Sequence, residues 1–159
     1  MASSDTEVVT GATATGPVIF AYDGSELAQV AIERAGHELV IGRDAVVVCV
    51  WQPADVGFMP VGDRQLNAQE ATEVRRAAEE TAAHGASLAA DAGFRTQGVA
   101  IESAPTWKGI LTVAEEHGAS LIVLGAHRRS GITGHLLGSV TAAVVAHTKA
   151  SVLVVHGSA

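Results

Sequence analysis

The sequence predicts an α/β protein, built on an open, mostly parallel sheet of five strands with helices on both faces. Five short apolar runs alternate with segments of helical periodicity, and the connections between them have the lengths used in βαβ units. Residues 45–51 are continuously apolar and rich in valine, which is typical of a strand covered on both faces. Right-handed crossovers would then carry the helices over the sheet.

The apolar runs give the predicted strands and the periodic segments give the helices. Strands are expected at residues 17–22, 45–51, 94–101, 121–124 and 151–156. Helices are expected from the N-cap Ser25 to Gly42 and at residues 65–92, 106–117 and 139–147. The helix at 65–92 has a thin apolar face, which predicts a peripheral position; its members are Leu66, Val74, Ala77, Ala78 and Leu88. Gly85 within this helix predicts a bend.

Length and composition predict one domain. The chain has 159 residues, of which 48% are hydrophobic and 4% aromatic, so the core should consist of aliphatic side chains. We expect residues 1–16 to form a disordered tail rather than a signal peptide, and residues 17–157 to form the domain. Because no apolar run approaches the roughly 20 residues of a membrane-spanning helix, we expect no membrane partner.

Cysteine content and charge narrow the functional class. The single cysteine, Cys49, lies in a predicted buried strand, which excludes a disulfide framework and favours a cytoplasmic protein. The net charge of −7 argues against general nucleic-acid binding, because no basic face offsets it. A local basic loop can still bind a polyanion, particularly together with a divalent cation.

One loop carries the strongest functional signal. Residues 125–138 connect the fourth strand to the last helix through a basic, glycine-rich segment. Unpaired amides and the dipole at a helix N-terminus make this order of elements a common anion site. Asp23, Val50 and Gly125 each fall at the end of a predicted strand, so we expect them to meet at one crevice of the sheet.

Other polar residues give no catalytic or metal-binding pattern. His127 and His135 flank the loop without a Cys, Asp or Glu at ligand spacing, so we predict no metal site. No Gly-Lys-Ser/Thr phosphate loop and no nucleophile elbow are present. Four histidines lie in or at the ends of helices with no evident partner, namely His37, His84, His117 and His147. Trp107 is expected to serve the core or a subunit contact.

Several motifs together resemble the universal stress protein family, in its nucleotide-binding, single-domain form. The pattern Gly, two residues, Gly, nine residues, then Gly-Ser or Gly-Thr begins here at Gly125 and ends at Gly138-Ser139. The segments 136–140 and 152–155 and the opening 21–25 also resemble this family. The resemblance covers nearly all of residues 17–156.

The resemblance implies a Rossmann-like sheet in the order 3-2-1-4-5 and a homodimer formed through the fifth strand. It implies an ATP-binding stress-response protein that acts as a nucleotide-dependent binding or regulatory module, with Mg²⁺ and at most slow ATP hydrolysis. Asp23 would contact the ribose or adenine, Val50 would line the adenine pocket, and Gly138 to Thr141 would bind phosphates. The implied nucleotide-binding residues are Ala21, Asp23, Val50, Leu124, Gly125, Ala126, His127, Arg128, Gly138, Ser139, Val140 and Thr141.

One position departs from the family pattern, because Arg128 occupies the place of the middle glycine. A side chain in a left-handed conformation costs roughly 1–2 kcal/mol and could fill the groove. A guanidinium, however, offers several donors to phosphate oxygens. Three readings therefore stay open: altered ATP binding, a dimerisation scaffold whose groove Arg128 blocks, or a sensor of AMP or cyclic AMP.

Overall fold

The computed structural model describes residues 16–52, 68–126 and 137–157. Within them, five parallel strands form one sheet in the order β3-β2-β1-β4-β5, which confirms the predicted fold class and strand order. The strands are β1 (Val18–Ala21), β2 (Asp44–Trp51), β3 (Arg95–Glu102), β4 (Leu121–Ala126) and β5 (Ser151–His156). The helices are α1 (Glu26–Glu38), α2 (Ala68–Asp91), α3 (Thr106–Glu116) and α4 (Ser139–His147). The predicted tail at 1–16 lies almost wholly outside the described residues.

Two helices cover each face of the sheet. Phe20 and Val123 are buried beneath α1 and α2, whereas Ile19 and Ile122 are buried beneath α3 and α4. Neighbours along each strand point to opposite faces, so a strand covered on both sides needs apolar residues at every position. The unbroken valine run of β2 has this cause.

The helix α2 packs directly on β2 and β3, so the predicted peripheral position is wrong. Its buried face consists of small residues, namely Ala78, Ala82, Gly85 and Ala89. Ala77 of the predicted face is exposed, Val74 and Leu88 are half-buried, and Leu66 lies outside the described residues. Small side chains bring the helix axis close to the sheet, and a search for large apolar residues does not detect such a face.

Gly85 is a packing residue within an unbroken helix. A Cβ atom at Gly85 would lie 2.6 Å from Cδ1 of Tyr22 and 2.7 Å from Cγ1 of Val47. The helix α2 continues through this position to Asp91. The glycine is therefore required by close contact with the sheet rather than by the backbone freedom on which the predicted bend rested.

The strand β4 extends two residues beyond its predicted end. Gly125 pairs in register with Val155 and lies inside the strand, rather than in a turn. A Cβ atom there would lie 2.8 Å from Cγ and 3.2 Å from the carbonyl oxygen of Leu27 in α1. Contact between α1 and β4 therefore accounts for this glycine.

At the other end of the sheet, Arg43 joins the starts of three strands. Its Nη2 donates to the carbonyl oxygen of Gly16 (3.1 Å) and to Oγ of Ser120 (2.7 Å). The Ser120 hydroxyl in turn donates to the same Gly16 oxygen at 3.0 Å. These bonds fix β1, β2 and β4 relative to one another. None of the described helices is apolar and long enough to traverse a lipid bilayer.

Candidate functional site

A cavity of about 130 Å³ lies where β1, β2 and β4 reach their carboxyl ends. The chain passes from β1 to β2 on one side and enters β4 on the other, so the winding direction reverses between β1 and β4. Ligands of open α/β sheets bind at such a reversal. The predicted crevice therefore exists in the described residues.

Seven of the sequence-predicted site residues line this cavity, namely Ala21, Asp23, Val50, Leu124, Gly125, Val140 and Thr141. Gly138 and Ser139 lie at the start of α4, directly before Val140, but do not line the cavity. Ala126 is buried at the end of β4 and does not line it either. His127 and Arg128 lie outside the described residues, so their predicted roles stay predictions.

Sequence reasoning missed the other half of the lining, which comprises Tyr22, Ser25, Leu27, Ala28, Val48, Thr106 and Ile110. Two periodicities could have found part of it. Val48 precedes Val50 by two residues on one strand face, and Ile110 follows Thr106 by one helical turn. The residues from α1 are brought in by the packing of its first turn on β4.

Asp23 lies at the exposed rim of the cavity and shapes the turn into α1. Its Oδ1 accepts a hydrogen bond from the amide of Ser25 at 2.9 Å, and Gly24 between them has φ +82°. The Ser25 hydroxyl oxygen accepts from the amide of Ala28 at 3.2 Å, which confirms the predicted N-cap. Asp23 therefore shapes this turn through its side chain, and the turn places the carboxylate at the cavity mouth.

Tyr22 forms the buried wall next to Asp23. Its side chain is 3% exposed, and its hydroxyl lies 2.9 Å from Nδ1 of His84 in α2. Burial raises the pKa of Tyr22 above its usual 10.0, and the Asp23 carboxylate and the Cys49 thiol raise it further. His84 therefore has a partner, contrary to the sequence prediction.

Two further histidines also have partners. Nδ1 of His117 donates to the carbonyl oxygen of Val113 at 2.9 Å, and Nε2 lies 3.0 Å from Nε2 of Gln97. The His147 ring stacks on Trp107, with ring centroids 4.4 Å apart and planes inclined by 19°. Trp107 packs against the core beneath α3 and α4, which agrees with the predicted core role. Both histidines thus connect neighbouring elements away from the cavity.

The starts of α3 and α4 reach the cavity, and among the described residues neither start has a side-chain cap. Gly138 is the N-cap of α4 and Ser139 is its first helical residue. Pro105 precedes α3 and likewise makes no capping hydrogen bond with its side chain. Unsatisfied amides at a helix start, together with the helix dipole, favour an anion.

Thr141 adds a buried polar group to the α4 side of the cavity. The residue is only 4% exposed. It belongs to the lining of the cavity. A hydroxyl group in that lining can form a hydrogen bond with a ligand or with solvent.

The cavity combines an apolar slot with these polar helix starts. Val48, Val50, Ile110 and Leu124 supply the apolar walls. An apolar cavity of roughly 150 Å³ holds benzene. This cavity, at about 130 Å³, is of similar size, so part of a flat heterocyclic ring can lie in it while the rest extends to the exposed rim at Asp23. Across residues 16–52, 68–126 and 137–157, no group of three or more His, Cys, Asp or Glu side chains could hold a metal ion. The arrangement suits an aromatic ring that carries an anionic group.

Fold and site together define a doubly wound α/β protein with its crevice at the reversal of strand order. The model of the universal stress protein family matches residues 15–156, so the chain belongs to that family. A universal stress protein of Mycolicibacterium smegmatis is 34% identical over 141 residues, covering 88% of this chain and 45% of that protein. The chain thus spans about half the length of this curated relative.

Solved structures show the same fold. A universal stress protein in complex with cAMP superposes with a TM-score of 0.65 and 24% identity, covering 92% of this chain and 100% of that one. The universal stress protein from Archaeoglobus fulgidus in complex with dAMP gives a TM-score of 0.61 and 21% identity, covering 89% and 98% of the chains. The resemblance inferred from the sequence motifs is confirmed at the level of family and fold.

Proposed function

We propose that this chain is an ATP-binding stress-response protein, in which nucleotide occupancy, together with Mg²⁺, changes the surface offered to a partner. The observation that carries the proposal is the cavity itself, in which an apolar slot adjoins an uncapped helix start at the strand reversal. Family membership and the nucleotides named with two structural neighbours support it.

The apolar side of the cavity is proposed to hold the base. Val50 and Val48 come from the end of β2, and Ile110 faces them from α3. A planar base placed between such walls removes apolar surface from water on both of its faces. Asp23 at the rim can accept hydrogen bonds from ribose hydroxyls while Oδ1 also holds the turn at Ser25.

The α4 side is proposed to hold the phosphates. Two of the amides at the start of α1 already have side-chain partners, since Asp23 accepts from Ser25 and Ser25 accepts from Ala28. No described side chain caps the start of α4, and Thr141 adds a hydroxyl from within its first turn. Backbone amides, a helix dipole and a hydroxyl together form an anion site that needs no lysine.

A monophosphate ligand is a second candidate. The neighbours named above are complexes with cAMP and dAMP, and each carries a single phosphate. A small cavity with one uncapped helix start on its phosphate side suits such a ligand as well. In that case the protein senses AMP or cyclic AMP.

We further propose that binding occurs without efficient turnover, and that two copies pair through β5 in the cytoplasm. The chain has no Gly-Lys-Ser/Thr phosphate loop to drive hydrolysis, so slow ATP cleavage is the most it would show. At the sheet edge, β5 pairs with β4 alone among the described strands, which leaves one backbone edge for a second copy.

Identification of the nucleotide that acid releases from freshly purified protein tests the proposal. Thermal unfolding with ATP and Mg²⁺, AMP and cyclic AMP should then show the largest rise in melting temperature for the physiological ligand. Asp23→Asn preserves the oxygen that accepts from Ser25 but removes the charge, so it should weaken binding without unfolding α1. Absence of released nucleotide and of any thermal shift in wild type, with a shift restored in Arg128→Gly, would favour the scaffold whose groove Arg128 blocks. Absence in both proteins would overturn nucleotide binding.

A further inference from the structure

Thr106 is a polar residue in the lining of the apolar slot. It is the first residue of α3 and lies half-buried in the lining, one turn before Ile110. One hydrogen bond of its side chain is defined, since Oγ1 accepts from Nε2 of Gln52 at 3.2 Å. Gln52 follows directly after the end of β2, so this bond ties α3 to the strand that supplies Val50.

The proton of the Thr106 hydroxyl has no acceptor among the described residues. Other helical threonines donate to the carbonyl one turn earlier, as Thr72, Thr81 and Thr112 do at 2.7, 2.9 and 2.9 Å. Thr106 has no preceding helical turn, because α3 begins there. A hydroxyl has one donor and two acceptor positions, and Gln52 occupies one acceptor position only.

Gly109 lets the first turn of α3 lie close to the β2 wall of the slot. A Cβ atom at Gly109 would lie 3.0 Å from both methyl groups of Val50 and 2.9 Å from Cβ of Ser103. The glycine therefore lets α3 lie directly against Val50. Thr106 precedes Gly109 by three residues and shares its helix face.

We propose that Thr106 determines which base the cavity accepts, by donating a hydrogen bond from its hydroxyl to a ring nitrogen of the bound adenine. Gln52 orients the hydroxyl by donating to its oxygen, so the proton is directed away from Gln52. A base with a C–H group at that point would leave the hydroxyl proton without an acceptor and would bind less tightly. The inference rests on the proposed function and names a specificity residue within it.

Calorimetric titration with AMP and its 1-deaza, 3-deaza and 7-deaza analogues tests this role. Thr106→Val removes the hydroxyl at nearly constant volume, Thr106→Ser retains it, and Thr112→Val removes a hydroxyl from the exposed side of the same helix. One net hydrogen bond corresponds to roughly 2- to 13-fold in affinity. Thr106→Val should weaken AMP by that factor, whereas Thr106→Ser and Thr112→Val should bind as wild type does.

The analogues distinguish a direct contact from a change in packing. The analogue that lacks the bonded ring nitrogen should bind wild type as weakly as AMP binds Thr106→Val. The affinity of this analogue should not fall further in Thr106→Val, because the hydrogen bond is already absent. Equal binding of all three analogues to wild type would overturn the inference even if Thr106→Val did not fold. Unchanged AMP affinity in a folded Thr106→Val would overturn it and leave nucleotide binding intact. Failure of wild type to bind AMP or ATP would overturn the proposed function itself.

Discussion

Leu27 occupies the space that a side chain at Gly125 would need, with its Cγ 2.8 Å from the Cβ position. Gly125 opens the sequence motif that suggested phosphate binding, yet its open side faces α1. The contact brings the first turn of α1 against the end of β4, and Leu27 itself lines the cavity. Helix packing is therefore one physical reason for this glycine, whatever its backbone contributes to a ligand.

Gly125→Ala should lower the free energy of unfolding by about 1–3 kcal/mol, because the new methyl group overpacks the contact with α1. Adding Leu27→Ala to Gly125→Ala should recover part of the lost stability, because the clash with the Leu27 side chain is removed. The rest should remain lost, because the carbonyl oxygen of residue 27 still lies 3.2 Å from the new methyl group. Urea unfolding of wild type, the two single variants and the double variant measures the coupling energy between residues 27 and 125. Strictly additive losses would show that the two residues do not meet.

Gly85→Ala should destabilise the protein, although alanine normally stabilises a helix interior by about 1 kcal/mol over glycine. The methyl group would lie within 2.7 Å of both Tyr22 and Val47, so overpacking should outweigh the gain in helix propensity. Ser87→Ala, at an exposed position of the same helix, should instead be neutral or slightly stabilising. A rise in melting temperature for Gly85→Ala would contradict the close packing of α2.

Thr141→Val should weaken ligand binding more than it changes the ligand-free protein. Valine fills nearly the same space as threonine in the cavity wall, so the ligand-free melting temperature should stay close to that of wild type. The thermal shift produced by ATP with Mg²⁺ should decrease, because a donor to the phosphates is lost. Thr112→Val, whose hydroxyl donates to Lys108, is the matched control and should keep the full shift.

The ionisation of Tyr22 can be followed directly, because it is the only tyrosine in the sequence. Its folded pKa is raised above 10.0, first by burial and then by Asp23 and Cys49. The unfolded chain therefore loses this proton first, so the contribution to stability is intact below pH 10 and declines as pH rises through the folded pKa.

Asp23→Asn should lower the midpoint of tyrosinate absorbance in the folded protein, since one nearby negative charge is removed. Asp44→Asn, at the opposite end of the sheet, should leave that midpoint where it is in wild type. A midpoint at or below the usual tyrosine value in wild type would contradict the buried position of the ring.

Val154→Lys should convert a dimer into a monomer if two copies pair through β5. Val154 is half-buried and belongs to none of the core clusters of the described residues, so a lysine there should be tolerated by a single chain. Placed at a pairing edge, it opposes sheet-to-sheet association. Sedimentation should then show a halved mass, and Ser151→Lys, at the exposed start of the strand, is the milder comparison.

The sequence determined the alternation of strands and helices, because periodicity and caps are local. Valine at successive positions of β2 requires burial on both faces, and Ser25 binds an amide three residues away. The motif from Gly125 to Ser139 led to the family, and the family implied the strand order. The sheet and its reversal point then place Asp23, Val50 and Gly125 around one cavity.

Only the tertiary structure decided how close the layers lie and which polar groups meet. Gly85 beneath Tyr22 and Gly109 against Val50 are contacts between distant parts of the chain, and glycine spacing alone does not name the partner. The bond between Tyr22 and His84 joins residues 62 positions apart. Whether a hydroxyl such as that of Thr106 has an acceptor depends on three-dimensional distances, which no local pattern of side chains encodes.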